Sequence, residues 1–312
     1  MIYFNTGYLY LKKNKMKTIL VPTDFSANAD KACQYAIALA KDLKAKIILM
    51  HAFETPTSYT NVSLMTIQMD YATIHNLATN KLKNYYKKIS KTSGKVEIQL
   101  VVQQGLASAR IQELALEKKV DLIVMGTVGA DVVERFLIGS NTTRTIRNAP
   151  CMVLAIPPKA KYKGLKKMVY TTDLTAENLN HANALVPLAK NFNAEIIFLN
   201  VNNQFIEYDD EDFKQLKTKI KHHIKYPKTS SYICTELNVV SGIDFFMKNH
   251  KADCLVIYTH HRTLLQSAFS YSIAKSLSFH TTVPLLIIHE NDHIAFEQII
   301  TGKSKKVVLN KK

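Results

Sequence analysis

The twenty residues VMGTVGADVVERFLIGSNTT (124–143) decide the fold. A strand-like apolar run ends at Gly126, Gly129 follows after two residues, and Gly139-Ser140 follows after nine more. Because glycine lacks a Cβ, the backbone at these positions can turn tightly and approach a ligand closely. A helical pattern starts at Ser140, and a helix N-terminus attracts anions through its free N–H groups and its dipole. The stretch therefore predicts a strand, a ligand-binding loop and a helix, in that order.

Outward from this stretch, short apolar runs rich in β-branched residues alternate with longer helical patterns. The predicted strands of the first half are KTILVPTD (17–24), AKIILMHAF (45–53), KVEIQLVVQ (95–103), VDLIVMG (120–126) and PCMVLAIP (150–157). Strands that are apolar throughout and separated by helices are typical of a parallel sheet covered on both faces.

The same pattern then occurs a second time. The stretch KMVYTTDLTAENLNHANALVPLAKNFNAEIIFLNV (167–201) parallels TILVPTDFSANADKACQYAIALAKDLKAKIILMHA (18–52), with Asp173 at the position of Asp24. Self-similarity over such lengths predicts a tandem duplication. We expect a disordered extension at 1–15, a first domain at 16–157, a linker at 158–166, a second domain at 167–290 and a basic tail at 291–312.

Charge and composition narrow the class of partner. The 312 residues carry a net charge of +16, with 41 basic residues. Many of the lysines fall in three segments that we expect to be mobile. One of these segments is the linker region, which contains Lys159, Lys161, Lys163, Lys166 and Lys167. A nucleic-acid partner is disfavoured, because no motif with stacking aromatics accompanies the charge. Solubility and weak nonspecific attraction explain the lysines better.

The remaining composition favours a cytoplasmic protein with no membrane partner. No apolar run reaches the ~18 residues of a membrane helix, and the N-terminus lacks the order of a secretory signal. The four cysteines form no C-x-x-C pair, which is typical of reduced, inert thiols. They are Cys33, Cys151, Cys234 and Cys254.

A candidate site follows from the predicted sheet. Ligands of parallel α/β sheets bind beyond the carboxyl ends of the strands, where the strand order reverses. Asp24 and Gly126, at the ends of the first and fourth strands, should then face one crevice. The Asp24 carboxylate can accept hydrogen bonds from a ribose or an adenine amino group. Ser140 can cap its helix or donate to a phosphate. Each feature alone is more often a plain turn or cap, but together and at this spacing they predict a nucleotide.

These residues carry a resemblance to the universal stress protein family, in a tandem two-repeat form. Nucleotide-binding members of that family show G-x-x-G, nine residues and G-S or G-T after the fourth strand, which Gly126, Gly129, Gly139 and Ser140 match. The stretch ILVPTDFS (19–26) matches the first-strand signature, and QGLASARIQELA (104–115) resembles the Gly-led helix before the fourth strand. The resemblance covers roughly 16–290.

The resemblance implies two tandem flavodoxin-like (Rossmann-like) domains, each a five-stranded parallel sheet with helices on both faces. It also implies ATP in the crevice of the first domain, with Mg²⁺ as an optional companion and with AMP and ADP left open. The implied adenosine contacts are Pro22, Asp24, Ala52 and Met125. The implied phosphate contacts are Gly126, Val128, Gly129, Gly139, Ser140 and Asn141. The family often has a small apolar residue where this chain has Asn141.

The second half departs from the glycine pattern. Tyr258 stands at the position of Gly126, His261 at that of Gly129, and Tyr271-Ser272 at that of Gly139-Ser140. Asp173 is retained, but Thr171 replaces the proline. We therefore expect a degenerate copy, kept for packing or for sensing.

Histidines raise a metal hypothesis that we disfavour. His260 and His261 could join Asp173 or His289, but adjacent strand residues point in opposite directions and rarely hold one ion. The other histidines singled out, His51, His75, His181, His222 and His223, are expected to be surface or packing residues.

Regulation is favoured over catalysis. No histidine is placed by the motif to activate Ser140, and no G-x-x-x-x-G-K-[ST] loop is present. Arg135 and Arg144 could approach phosphates but are explained equally well as solvated residues. The sequence thus predicts a nucleotide-binding stress-response protein with at most slow hydrolysis.

Two other classes stay open. The first is a scaffold or interaction protein that binds no nucleotide. The second is an adenylating ligase, which is disfavoured because the S-G-G-x-D-S loop of such enzymes is missing after the first strand. Protein partners are unknown. The two halves can pair within one chain as the protomers of a homodimer would, and a dimer of chains is equally compatible.

Overall fold

The computed structural model describes residues 16–54, 71–127, 139–202, 209–259 and 283–289. Val128, Gly129, Arg135, His260, His261, Tyr271 and Ser272 lie outside these ranges, as do the N-terminal extension and the tail.

Ten strands and eight α-helices are assigned in the described ranges. The strands are β1 Thr18–Pro22, β2 Lys46–Phe53, β3 Ile98–Gln104, β4 Leu122–Gly126, β5 Met152–Ile156, β6 Lys167–Thr171, β7 Glu195–Asn202, β8 Thr229–Thr235, β9 Cys254–Thr259 and β10 Leu285–His289. The helices are α1 Ala27–Leu43, α2 Tyr71–Ser93, α3 Ala107–Glu117, α4 Ser140–Asn148, α5 Ala176–His181, α6 Val186–Phe192, α7 Asp210–His223 and α8 Val239–Asn249. A 3-10 helix, Ala182–Leu185, joins α5 to α6.

The strands form one sheet in the order β3-β2-β1-β4-β5-β10-β9-β6-β7-β8. Within each set of five the neighbouring strands are parallel, and only the central pair β5–β10 is antiparallel. The predicted fold class, two tandem α/β units with five parallel strands each, is confirmed. The strand order reverses between β1 and β4, where such sheets place their ligands.

The antiparallel pair β5–β10 joins the two halves within the chain. Leu285 pairs with Ala155, Leu286 with Leu154 and Ile287 with Val153. All six side chains are almost fully buried. Because an edge strand presents unpaired N–H and C=O groups, this pairing removes one open edge from each half.

Backbone conformation repeats between the halves. Six residues other than glycine have positive φ in the described chain, a conformation uncommon for L-residues. They form three equivalent pairs, Phe25 with Leu174 (67° and 63°), Lys44 with Asn193 (54° and 52°), and Lys119 with Lys251 (51° and 50°). Such agreement supports the predicted duplication.

The core lies in two layers, one on each face of the sheet. On one face the sheet packs against α1, α2 and their counterparts in the second half, with Tyr170 and Phe198 fully buried. On the other face it packs against α3, α4 and α8, around residues such as Ile111, Ile146 and Phe246. None of the helices in the described ranges combines the length and apolar character that crossing a bilayer requires.

The linker is packed against the fold, whereas its lysine-rich composition led us to expect a mobile segment. Ala160 is 8% exposed and Leu165 is 1% exposed. The Tyr162 ring lies edge-on to Tyr35, with 5.0 Å between ring centroids, and its hydroxyl donates to Asp42. These apolar side chains alternate with lysines and anchor the segment, which an overall count of charges does not reveal.

Candidate functional site

A cavity of about 330 Å³ opens at the carboxyl ends of β1, β2 and β4, where the strand order reverses. Eight of the ten predicted site residues line this crevice, namely Pro22, Asp24, Ala52, Met125, Gly126, Gly139, Ser140 and Asn141. The other two, Val128 and Gly129, lie outside the described residues. The crevice has an apolar floor that includes Met50 and Ile111.

A tight turn after β1 positions Asp24 at the crevice. The backbone N–H of Ser26 donates to Asp24 Oδ1 (2.9 Å), and that of Phe25 donates to Thr23 Oγ1 (3.0 Å). These two bonds hold Phe25 at its positive φ of 67°. Ser26 then caps α1 by accepting from the N–H of Ala29 (3.1 Å). Asp24 is exposed, so folding does not bury its charge, and the carboxylate is accessible to a ligand.

His51 supports the same turn from β2. Its Nδ1–H donates to the Thr23 carbonyl oxygen (2.9 Å), and its ring lies 4.4 Å from the Phe25 ring between centroids. Burial lowers the pKa of His51, and Lys81 contributes in the same direction, while the Thr23 carbonyl and Asp24 oppose the shift. His51 was expected from the sequence to be a surface or packing residue, and this contact was not predicted. In the second half, Asn200 Nδ2 donates to the Thr172 carbonyl at 2.8 Å in the equivalent way.

Acid should weaken the fold through His51. The folded protein favours the neutral His51 ring, whereas the ring takes up a proton more readily in the unfolded chain. Protonation at low pH therefore shifts the equilibrium towards the unfolded state. The stability that depends on the neutral ring is complete above the unfolded pKa of 6.5 and is lost as the pH falls towards the lower folded pKa.

The substitution His51→Asn tests this effect, because Asn200 shows that the amide can make the same bond. The free energy of unfolding in urea should fall less between pH 7.5 and 5.5 in the variant than in the parent. His223, whose pKa is also lowered by burial, is present in both proteins and cancels in the comparison. Equal losses in the two proteins would remove His51 from this role.

Two hydrogen bonds tie the two ends of the glycine stretch together, and a third ties the stretch to β5. Thr142 Oγ1 donates to the Gly126 carbonyl (2.8 Å), and the Gly139 N–H donates to the Thr127 carbonyl (2.8 Å). The Thr127 N–H in turn donates to the Ile156 carbonyl of β5 (3.1 Å). The N-terminus of α4 is therefore fixed beside the end of β4, and both face the crevice.

Ser140 does not cap α4, contrary to one expectation from the sequence. Gly139 occupies the cap position, with φ −56° and ψ 148°, and Ser140 is the first helical residue. Since Gly139 has no side chain to accept from the first-turn N–H groups, α4 starts without a side-chain cap. Ser140 and Asn141 are exposed at this end of the crevice. Such an N-terminus is suited to an anion.

Gly126 is required by close packing. A Cβ at this position would lie 2.5 Å from Asn28 Nδ2 and 3.1 Å from the Asn28 backbone oxygen. Overpacking typically lowers the free energy of unfolding by about 1–3 kcal/mol. A Gly→Ala substitution also lowers the entropy of the unfolded chain, which raises the free energy of unfolding by about 0.4–1 kcal/mol.

We therefore expect Gly126→Ala to lower the free energy of unfolding by about 1–2 kcal/mol, measured by urea denaturation. Asn28→Ala in the same chain should relieve part of this loss, with a coupling energy of at least about 0.5 kcal/mol in a double-mutant cycle. Strictly additive losses would show that the Asn28 side chain is not what excludes the Cβ.

Eight lining residues were not predicted from the sequence. They are Thr23, Ala29, Met50, Glu54, Gly105, Ala107, Ile111 and Thr142. Gly105 carries a signal in the sequence as the glycine that leads α3, and in the structure its φ of +123° explains why glycine is needed there. Glu54, directly after β2, adds a second carboxylate to the rim near Asp24.

The second half has an aromatic side chain where the first half has Gly126. Tyr258, at the position of Gly126, stacks on His181 with 4.1 Å between centroids and 15° between planes. Both rings are buried. Asp173 nevertheless accepts from the Thr175 N–H (3.0 Å), so the turn after β6 copies the turn after β1.

Metal-ligating side chains do not gather in groups of three or more within the described ranges. His289 is buried at the end of β10, where its Nε2–H donates to the Ile146 carbonyl of α4. Cys33 and Cys254 are buried, which raises the pKa of each thiol to about 12 and keeps both protonated.

Known proteins resemble this chain in sequence and in structure. Residues 15–157 match the sequence profile of the Universal stress protein family. Over 165 residues the chain is 30% identical to a putative universal stress protein of Staphylococcus aureus, a match that spans 53% of this chain and 98% of that relative.

Two solved structures share the architecture of both halves. The universal stress protein of Archaeoglobus fulgidus aligns over 88% of this chain and 97% of its own, with TM-score 0.66 and 13% identity. A putative universal stress protein of Pseudomonas aeruginosa aligns over 93% of this chain and 99% of its own, with TM-score 0.58 and 13% identity. At such identities these structures support the fold alone.

Proposed function

The chain belongs to the universal stress protein family, and from that premise we propose that the crevice of its first half binds an adenine nucleotide, ATP in the first instance, in a regulatory stress-response role. The observation that carries the proposal is the convergence on one cavity of the turn after β1, the glycine end of β4 and the N-terminus of α4. A nucleotide needs a polar anchor, an apolar surface and an anion site, and this crevice offers all three.

The adenosine part is assigned to the side formed by β1, β2 and β4. Met50, Ile111 and Met125 offer an apolar surface to a base, and the exposed Asp24 carboxylate can accept from a ribose hydroxyl or an adenine amino group. AMP, ADP and ATP share these contacts, so all three remain candidates.

The phosphates are assigned to the backbone beyond β4. None of the described residues that line the crevice is a lysine, an arginine or a histidine. The anion site would instead use the first-turn N–H groups and the dipole of α4, together with the close backbone approach allowed at Gly126 and Gly139. Mg²⁺ can accompany ATP, since Glu54 and Asp24 add negative charge to the rim.

Binding rather than turnover is the proposed activity. Efficient hydrolysis needs a group that orients or deprotonates the attacking water and a cation that neutralises charge in the transition state. The described lining supplies neither a histidine base nor a lysine, so we assign at most slow hydrolysis to this crevice. A regulatory protein needs only affinities that differ between nucleotides or between conformations.

The nucleotide retained by the natively purified protein tests the proposal. Denaturing the protein and analysing the released small molecules by mass spectrometry should reveal AMP, ADP or ATP in amounts that follow the protein concentration. If none is released and millimolar ATP produces no heat of binding, the nucleotide-independent scaffold is the better description of the protein.

A further inference from the structure

A second cavity, of about 580 Å³, lies where the linker passes between α1 and α8. We name it the lysine cleft, defined by Lys159, Lys161, Lys163, Lys248 and Lys251. The first three form a wall contributed by the linker, and the other two form a second wall at the end of α8 and the turn before β9. It shares no lining residue with the nucleotide crevice.

The linker lysines point to the surface because the residues between them pack against the fold. Ala160 is buried, and Tyr162 packs against Tyr35 of α1 and donates its hydroxyl to Asp42. Leu165, just beyond, is also buried. The three lysines are therefore exposed on a fixed backbone rather than spread along a free chain.

Charge in the lysine cleft is not balanced by its own carboxylates. Five lysines against two aspartates leave a formal charge of +3. Lys248 is paired with Asp244, and Asp253 Oδ2 accepts from the backbone N–H groups of Lys166 and Lys167, both at 2.9 Å. In the described part of the chain, no ion pair involves the ammonium groups of the other four lysines.

We propose that the lysine cleft binds a short inorganic polyphosphate, a chain of about three phosphates. Lysine ammonium groups act as mobile point charges on phosphate oxygens, and several of them around one cavity favour an anion with several charges over a single phosphate. The only described aromatic residue in the lining, Tyr35, is 4% exposed, so no ring is available to stack on the bases of a single-stranded nucleic acid.

Occupancy would stabilise the arrangement of the halves. The walls come from the linker, from α1 in the first half and from α8 in the second half. An anion that touches both lysine walls binds the folded chain and not the unfolded one, so it raises the unfolding temperature in proportion to the logarithm of its concentration.

The test uses sodium tripolyphosphate, titrated calorimetrically into the full chain at constant ionic strength. The parent should bind it saturably, at least tenfold more tightly than orthophosphate or sulfate. The variant Lys159→Ala/Lys161→Ala/Lys163→Ala should lose at least tenfold in affinity. The matched control Lys217→Ala/Lys219→Ala/Lys221→Ala removes the same charge from exposed positions of α7 and should bind as the parent does.

Two further variants keep the test decisive. Lys251→Asn removes one charge from the second wall and suits the backbone there, since Asn193 has nearly the same φ, 52° against 50°. It should weaken tripolyphosphate binding about threefold or more even if the triple linker variant does not fold. Ser140→Glu, aimed at the nucleotide crevice, should leave tripolyphosphate binding intact.

Three outcomes would overturn the proposal. Equal weakening by the linker and α7 variants would mean a nonspecific attraction to net charge. Loss of tripolyphosphate binding in Ser140→Glu would mean that the anion enters the nucleotide crevice instead. Unchanged tripolyphosphate affinity in Lys251→Asn would mean that the second wall does not take part in binding. AMP affinity, measured in the same variants, reports on the nucleotide crevice separately, so either proposal can fail alone.

Discussion

Ser140→Glu should weaken ATP binding at least a hundredfold while leaving the fold intact. Ser140 is the first residue of α4, is exposed and lines the crevice. A carboxylate in the first turn complements the helix dipole, which is worth about 0.3–1 kcal/mol in favour of the folded state. The same carboxylate would stand where the phosphates are assigned. Two like charges about 4 Å apart near a protein surface repel by about 4 kcal/mol, more than the ~2.7 kcal/mol of a hundredfold change.

Ser140→Gln is the matched control for this substitution, because it adds nearly the same volume without the charge. Calorimetric titration with ATP and with AMP, together with thermal unfolding, separates the effects. The glutamate variant should lose more affinity for ATP than for AMP and should unfold no earlier than the parent. ATP affinity within threefold of the parent, in a folded Ser140→Glu protein, would remove the phosphates from the N-terminus of α4.

Asp24→Asn should cost about 1–3 kcal/mol of binding free energy, the usual scale for a hydrogen bond to a charged group. The substitution keeps a side-chain oxygen that can still accept from the Ser26 N–H, so the turn after β1 should survive. Because the carboxylate is assigned to the adenosine part, the loss should be similar for ATP, ADP and AMP. Affinities for the three nucleotides, measured with and without Mg²⁺, provide the check.

The second half supplies the control for Asp24→Asn. Asp173 holds the equivalent turn by accepting from the Thr175 N–H. Asp173→Asn should leave nucleotide affinity unchanged. If Asp24→Asn weakened ATP alone, and only in the presence of Mg²⁺, the carboxylate would act through the metal on the phosphates. The assigned orientation of the nucleotide would then be reversed.

The fold was predictable because its signals are local and periodic. Continuous apolar strands, helical spacing between them and the repeated Asp24 and Asp173 turns lie in the sequence itself. The joining of the halves through β5 and β10 was foreseen only as a general possibility. Val153 and Leu286 are apolar like the other buried strand residues, so residue type alone does not predict which strand each will pair with.

The candidate site was predictable where one backbone feature determines a residue's place. Gly126 and Gly139 flank one loop, and Asp24 ends the first strand. Contacts that join separate elements were missed. Thr142 reaches back across 16 residues to the Gly126 carbonyl, and His51 acts on the crevice only through Thr23. No short sequence pattern marks either bond.

Two expectations drawn from residue type did not take account of packing. Ser140 was considered either as the cap of α4 or as a donor to a phosphate, and Gly139 takes the cap position and leaves the helix end open towards the crevice. The linker was expected to be mobile because it is rich in lysine, but Ala160 and Leu165 are buried. In both cases a preference of residue type was overruled by packing specific to this chain.

The number of ATP molecules bound per chain tests the central claim most directly. Calorimetric titration of the parent, freed of retained nucleotide, should give one ATP per chain, with that single site lost in Ser140→Glu and kept in Asp173→Asn. This result would place the nucleotide in the first half and leave the second half as a copy in which Tyr258 replaces the glycine and stacks on His181. Two equal sites per chain, or one site that survives Ser140→Glu unchanged, would contradict the account.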